Sequence, residues 1–564
     1  MPELRFVMGI DSSTQGTSAV LLDRESFETA AQARVRYRDD PRLAGYGLGG
    51  GAPILPPREK GEADQPAALY LDALDALFET LGPALLGQVA AVNISAQQHG
   101  QVWLGARGAA AIRALRAPGA DASLRSAPNP GGSAGGLAGR IGPGLSSERA
   151  PIWMSANTAA EARALRAAAW GAASGCTAAG TEASAAAADS EDARRAMAAL
   201  SGSDSPLRFS GAVLRHKALR CPAAYAGTER FHLISSFLSG VLAGDPDAPI
   251  DWGNGSGTSL MDYKARSWSP LLVAACAQDL PGGAAFLAGH LPRLAHPLSI
   301  IGTIAAYFVE RYGFRPECAI VAGSGDNPQS RVLAENTLLS LGTSFVLMTE
   351  GSEPYLGANA MYDGTGRPFL FGCRTNGALS WEARRLEHGC AADDFGRWHR
   401  ALSSLAPGSV LRIVQTERES FPESERIDEA PLGSLEADCC AAVDADLGLM
   451  ALASAPFAGH IRRLEVTGGA AREPEVLRRA AAIWNAPVLP IANAGAGSGA
   501  ALAAALALAP EEERDALARR GRAAAAHPGS PVGPRPEDVA AYHGQGGYLE
   551  RLRKRFELET GRRL

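Results

Sequence analysis

The chain has 564 residues, 46% of them hydrophobic, and a formal net charge of −6. That is too long for one compact core, so two large domains or more are expected. With no concentrated basic stretch, the charge argues against nucleic acid or an anionic membrane as a partner and leaves a small molecule as the substrate.

Eight cysteines are scattered without a CxxC pair or metal-ligand spacing to histidine. Reduced thiols and a cytoplasmic location are the expectation. The first residues lack the basic start, apolar run and cleavage site of a signal peptide. No uninterrupted apolar stretch reads as a membrane span, and the Ala-rich run from Gly499 to Pro510 is too short for one.

In chain order, Arg5 to Leu22 reads as two short strands around a turn, and Gln88 to Ser95 as an apolar strand ending at Gln97-Gln98-His99-Gly100. Residues 105–150, dominated by Gly, Ala, Pro and Ser, read as a surface loop or insertion. Ala159 to Leu200 is expected to be helical, with breaks near Gly175 and Gly180. Phe231 to Leu238 is expected to be buried. Composition changes again near Pro297 to Gly302, which places the main boundary there and gives domains over 1–300 and 301–564. A Gly-Gly turn opens a helix from Pro474, and Ala540 to Glu557 reads as one amphipathic helix with a solvated charged face.

Three separated segments place small residues, hydroxyls or a carboxylate at the end or start of an expected strand. They are Ile10-Asp11-Ser12-Ser13-Thr14-Gln15-Gly16-Thr17, Gly323-Ser324-Gly325-Asp326-Asn327-Pro328 and Leu339-Ser340-Leu341-Gly342-Thr343-Ser344. Small residues let backbone N–H groups approach an anion closely, and hydroxyls add donors, so the pattern suits phosphate. One such segment is an ordinary turn. Three in this order, followed by Val466-Thr467-Gly468-Gly469, are far more specific.

With Asp11 in a strand turn, His99 after a Gln pair, Trp153-Met154, Asp326-Asn327-Pro328, Gly342-Thr343-Ser344 and Gly468-Gly469, the chain resembles the FGGY carbohydrate kinases. Among them it is most similar to the D-xylulokinases of mammalian type. The resemblance extends from Met8 to Leu549 and takes in Pro249-Ile250-Asp251, Gly255-Ser256-Gly257, Arg311-Tyr312-Gly313-Phe314 and Asn485-Ala486-Pro487-Val488. It implies an α/β fold of two actin-like (ribonuclease H-like) ATPase domains facing a central cleft. It implies ATP and Mg²⁺ as cofactors, and phosphorylation of D-xylulose on its C5 hydroxyl by a monomer or homodimer, without nucleic acid or membrane.

Carried over residue by residue, the resemblance makes Asp326 the general base and Asp11 the holder of Mg²⁺. Ser13, Thr14 and Gln15 would face the γ-phosphate from one domain, and Gly342 and Thr343 the phosphate chain from the other. Gly468 and Gly469 would pass beneath adenine and ribose, where a Cβ would clash. His99, Arg208, Asp326 and Asn327 would bind the sugar, supplying both donors and acceptors.

Four departures stand out. Ser155 follows Trp153-Met154 where relatives carry Asp. The segment Gln329 to Leu341 is short by about a helical turn. His216-Lys217 shifts a family lysine by one position. No Trp lies at Ala391-Ala392. These leave open a kinase for another pentulose or a polyol, or a catalytically weak sugar-binding protein of the same fold.

Overall fold

The computed structural model describes the chain except for residues 1–3, 49–52, 120–134, 176–186, 392, 492–494 and 527–530. The chain divides into two compact units. The first is Met1–Leu333, Met361–Arg367 and Gly495–Ala524; the second is Ala334–Ala360, Pro368–Ala494 and Ala525–Leu564.

In the first unit, strand β1 (Phe6–Ser12) pairs antiparallel with β2 (Gly16–Asp23), which pairs antiparallel with β3 (Thr29–Arg36). Helix α1 (Leu69–Leu81) lies against β2 and β3. On its other side β1 pairs in parallel with β4 (Val89–Ala96). Every residue of β4 is buried, including the polar Asn93 and Ser95, as expected of a parallel strand covered on both faces. Two helices that matter for the site follow, α2 (Ser210–Arg220) and α3 (Trp252–Ser256).

Strand β5 (Ile300–Thr303) pairs antiparallel with β6 (Ala319–Val321), while β6 and β7 (Ser324–Gly325) run parallel to β4. Helix α4 (Asp326–Val332) starts directly after β7, with Pro328 inside its first turn, where a missing N–H costs nothing. The boundary expected near residue 300 is therefore corrected. Strands β5 to β7 take their register from β4, and the chain stays in the first unit to Leu333.

In the second unit, β8 (Thr337–Leu341) forms a hairpin with β9 (Phe345–Glu350), which pairs with β10 (Pro368–Arg374). Helix α5 (Leu435–Ala458) crosses the core beneath these strands. By length and composition this 24-residue helix is apolar enough to cross a membrane, a feature the sequence reading passed over. Here it is a core helix, and its buried Asp444 and Asp446 pair with Arg479 at 2.8 Å and Arg374 at 2.7 Å. Strand β11 (Leu464–Thr467) is parallel to β8 and to β12 (Val488–Pro490).

Helix α6 (Ala496–Leu508) then returns to the first unit. A Cβ on Gly9 would stand 1.9 Å from the Gly497 carbonyl oxygen, and one on Gly499 1.8 Å from that of Gln329. Bare backbone at these positions lets α6 lie directly on β1 and cross α4.

The described part of the 105–150 segment is more ordered than a surface loop. Ala106–Ala114 and Leu137–Ile141 are helices whose Ile112, Leu137 and Ile141 enter the first core; its middle lies outside the described residues. Gly180 also lies outside them. The late helix is two, Pro536–His543 and Tyr548–Thr560, separated at Gly544 to Gly547.

Candidate active site

Parallel register gathers the site of the first unit. Asp11 of β1 stands opposite Ser95 of β4, and Ser95 opposite Ser324 of β7. The carboxyl ends of these three strands, where open α/β sheets place their ligands, therefore bring together Asp11 to Gln15, Gln97 to His99, and Asp326 with Asn327.

Asp326 opens α4 and is only partly buried. Its Oδ1 accepts the Asn327 N–H at 2.9 Å, and the Gln98 backbone N–H donates to the same carboxylate. Burial, and then the Asp11 charge, push its carboxyl up to about 7. A carboxyl so placed is ionisable at neutral pH yet a stronger base than an ordinary aspartate.

Asp11 is raised to about 6, chiefly by burial, against the hydrogen bond from Ser95 and the charge of Arg34. The Ser95 hydroxyl donates to its Oδ1 at 2.7 Å. Among the described residues no group of three His, Cys, Asp or Glu could hold a metal ion. An ion that keeps most of its water and leans on one carboxylate and on phosphate oxygens needs no such group.

Ser13 spends both its N–H and its hydroxyl on the Gly16 carbonyl, at 2.9 and 3.0 Å. The Thr14 hydroxyl donates to Gln97 Oε1 at 3.0 Å and accepts the Trp153 indole N–H at 2.8 Å. Gln15 is exposed, its side chain turned to solvent. What this turn offers an anion is thus backbone rather than the Ser13 or Thr14 hydroxyl protons.

His99 has φ 67°, a left-handed backbone that histidine tolerates better than most residues. Its ring stacks on Phe209 with centroids 4.5 Å apart, and Nδ1 lies 2.9 Å from the Gly257 carbonyl. A carbonyl only accepts, so Nδ1 carries the proton. Burial, then the Arg208 charge, hold the imidazole neutral, down to about 3. Its Nε2 is consequently a hydrogen-bond acceptor, and no partner engages it among the described residues. A Cβ on Gly257 would come to 3.0 Å from the ring, so glycine lets the imidazole approach this closely. Asn327 Nδ2 donates to Gln98 Oε1 at 2.8 Å, which fixes the amide beside Asp326.

In the second unit Gly342 to Ser344 make the hairpin turn between β8 and β9, and Gly468 follows the parallel neighbour β11. Gly468 has φ 98°, and a Cβ there would stand 2.4 Å from the Leu341 carbonyl oxygen. Register thus places the Gly342-Thr343 and Gly468-Gly469 turns side by side at one end of this sheet. Thr343, Gly468 and Gly469 are exposed.

Two of the departures have structural explanations. Ser155 is buried, its hydroxyl donating to the Ala63 carbonyl at 3.0 Å, so it supports a loop rather than a ligand. Lys217 donates to the Arg149 carbonyl and lies 4.7 Å over the Trp103 ring, while His216 sits between Glu59 and Glu161, at 2.6 and 3.0 Å. Helix α4 has seven residues, and the chain leaves the first unit directly after it. Ala392 lies outside the described residues.

Sequence reasoning gave no role to Gln97, Gln98, Ser95 or Asp251. The Gln pair before His99 was visible as a polar strand end, but its partners Thr14 and Asn327 are distant in sequence.

No family model matches the chain. It is 27% identical over 518 residues to the xylulose kinase of Rattus norvegicus, covering 86% of this chain and 84% of that protein. A solved xyloylose kinase from Brucella ovis matches with a TM-score of 0.70 at 20% identity, over 98% of this chain and 99% of that one. The gluconate kinase of Lactobacillus acidophilus matches with a TM-score of 0.72 at 16% identity, over 98% of each chain. The chain is thus similar to xylulose kinases over most of its length, which bears out its resemblance to the FGGY carbohydrate kinases and to their xylulokinases of mammalian type.

Proposed function

We propose that this chain transfers the γ-phosphoryl group of ATP to the C5 hydroxyl of D-xylulose, with Asp326 taking the hydroxyl proton. The observation that carries the chemistry is the Asp326 carboxyl, part-exposed beyond the sheet's carboxyl edge and raised to about 7 by burial and by Asp11. Such a base is ionised enough to accept at neutral pH and basic enough to draw the proton as the oxygen attacks. The sugar choice is supported by the sequence likeness to xylulose kinases, since one fold serves several acceptors.

In this reading the uncharged His99 accepts from a sugar hydroxyl at Nε2, and Asn327 and Arg208 supply donors. The nucleotide lies against Gly342, Thr343, Gly468 and Gly469, and the backbone of Thr14 and Gln15 meets the transferred group. Asp11 holds the hydrated Mg²⁺. When bound, that ion offsets the charge of the phosphate oxygens.

Coupled ADP release across a panel of pentuloses and polyols tests the acceptor. D-xylulose should give the highest kcat/KM, and Asp326→Asn should lower kcat by about 10²–10⁴-fold. A sugar-induced rise in Tm without ADP release for any acceptor would identify a sugar-binding protein instead.

A further inference from the structure

Behind the candidate base lies a buried carboxyl that the reaction does not use. Asp251 is fully buried and caps α3, accepting the Gly253 N–H at 2.8 Å and the Asn254 N–H at 3.1 Å. Its Oδ2 also accepts the hydroxyl of Ser324 at 2.6 Å, and both ends of that bond are fully buried. Ser324 and Gly325 are the whole of β7, and the next residue is Asp326.

A two-residue strand is a weak hold for a catalytic group. Its ladder to β4 consists of Ser324 opposite Ser95 and Gly325 opposite Ala96. Gly325 is wedged, since a Cβ there would stand 2.4 Å from Gln98 Cγ and 3.0 Å from Asn254 Oδ1. Asn254 is fixed in turn by donating to Ser235 Oγ at 2.7 Å. A buried hydrogen bond of 2.6 Å to a carboxylate is therefore a direct side-chain restraint on the residues that lead into Asp326.

We propose that Asp251 is a positioning residue for phosphoryl transfer, acting through the Ser324 hydroxyl to hold the turn that presents Asp326. This rests on the reading of Asp326 as the base. Asp251 meets no substrate in that reading; it sets where the base stands. Three donors converge on Asp251, so it serves as an acceptor although burial raises its carboxyl to about 6.

The test compares Ser324→Ala, Asp251→Asn and the double variant in steady-state kinetics, beside Asp326→Asn. Ser324→Ala should lower kcat about tenfold with KM for ATP within about twofold of the native value. Its kcat/KM acid limb should move to lower pH, because a loosened Asp326 gains water. The double variant should be no slower than Asp251→Asn, since the two changes act on the same Ser324–Asp251 bond and the rest of the loss at Asp251 is already present in Asp251→Asn. If Asp251→Asn does not fold, Ser324→Ala decides alone. Native kcat in Ser324→Ala, an unmoved limb, or multiplied losses in the double variant would overturn the proposal while an inactive Asp326→Asn leaves the base assignment standing. Native turnover in Asp326→Asn would remove both.

Discussion

Asp11 lies near the end of β1 and Asp326 directly follows β7, two strands that flank the same neighbour, β4, and the charge of the first raises the carboxyl of the second. Among the described residues neither is paired with a cation by hydrogen bond, so each is poised rather than neutralised, as groups that do chemistry tend to be.

One consequence is a pH profile. If Asp326 must be ionised to accept a proton, kcat/KM should fall below about pH 7, where its carboxyl titrates. Asp11→Asn removes the second cause of the shift, so the acid limb of the residual activity should move down. A limb that stays in place would show that the carboxyl titrating in the profile does not feel Asp11.

The same shift acts on stability. The native carboxyl binds its proton more tightly than the ordinary value of 3.8 allows. Its contribution is therefore complete below about pH 4 and is lost as pH rises through about 7. At pH 8 Asp326→Asn, which cannot ionise, should unfold at a higher temperature than the native chain while being nearly inactive. Thermal unfolding at pH 5 and pH 8 checks the sign, since the difference in Tm should grow with pH.

His99 should behave as a neutral ligand. With its imidazole held down to about 3, it adds no limb to the profile between pH 5 and 9. If His99 accepts from the sugar as proposed, His99→Ala should raise KM for D-xylulose about 10- to 100-fold. KM for ATP should hardly move. Equal rises in both constants would mean that the substitution disturbs the Phe209 stack and the strand end rather than the sugar contact.

Packing behind the site can be tested through Gly499. A methyl there would meet the Gln329 carbonyl oxygen at 1.8 Å, backbone that cannot swing aside. Gly499→Ala must displace α4, whose first residue is Asp326, and should cost about 1–3 kcal/mol of stability. Loss of kcat should accompany loss of Tm. A fully active variant would show that α4 can shift without moving the base.

What could be read from the sequence follows from how local each feature is. Asp11, His99 and Asp326-Asn327 sit where apolar strands stop, and small polar residues mark such ends without tertiary knowledge. Their gathering across β4 depends on parallel register, which no local pattern encodes. The domain division was misplaced because β5, β6 and β7 are too short to show periodicity and take their places from β4. The split of the last helix is set by Gly544, Gly546 and Gly547, a breaker cluster outvoted by flanking helical periodicity. Asp251 escaped notice because its partner Ser324 is 73 residues away.

Gly468 and Gly469 separate backbone need from ligand need in the second unit. At Gly468, φ is 98° and a Cβ would strike the Leu341 carbonyl oxygen at 2.4 Å, so alanine strains the fold whether or not nucleotide binds there. At Gly469 nothing lies within 4 Å of an added Cβ. Gly469→Ala should therefore leave Tm unchanged, and any kinetic effect must come from what approaches the exposed backbone. If adenine and ribose rest on it, KM for ATP should rise about 5- to 50-fold, corresponding to about 1–2.3 kcal/mol, with KM for D-xylulose unaltered. An unchanged KM for ATP in a stable Gly469→Ala protein would take the nucleotide away from this turn and leave Gly468 with a purely structural reason to be glycine.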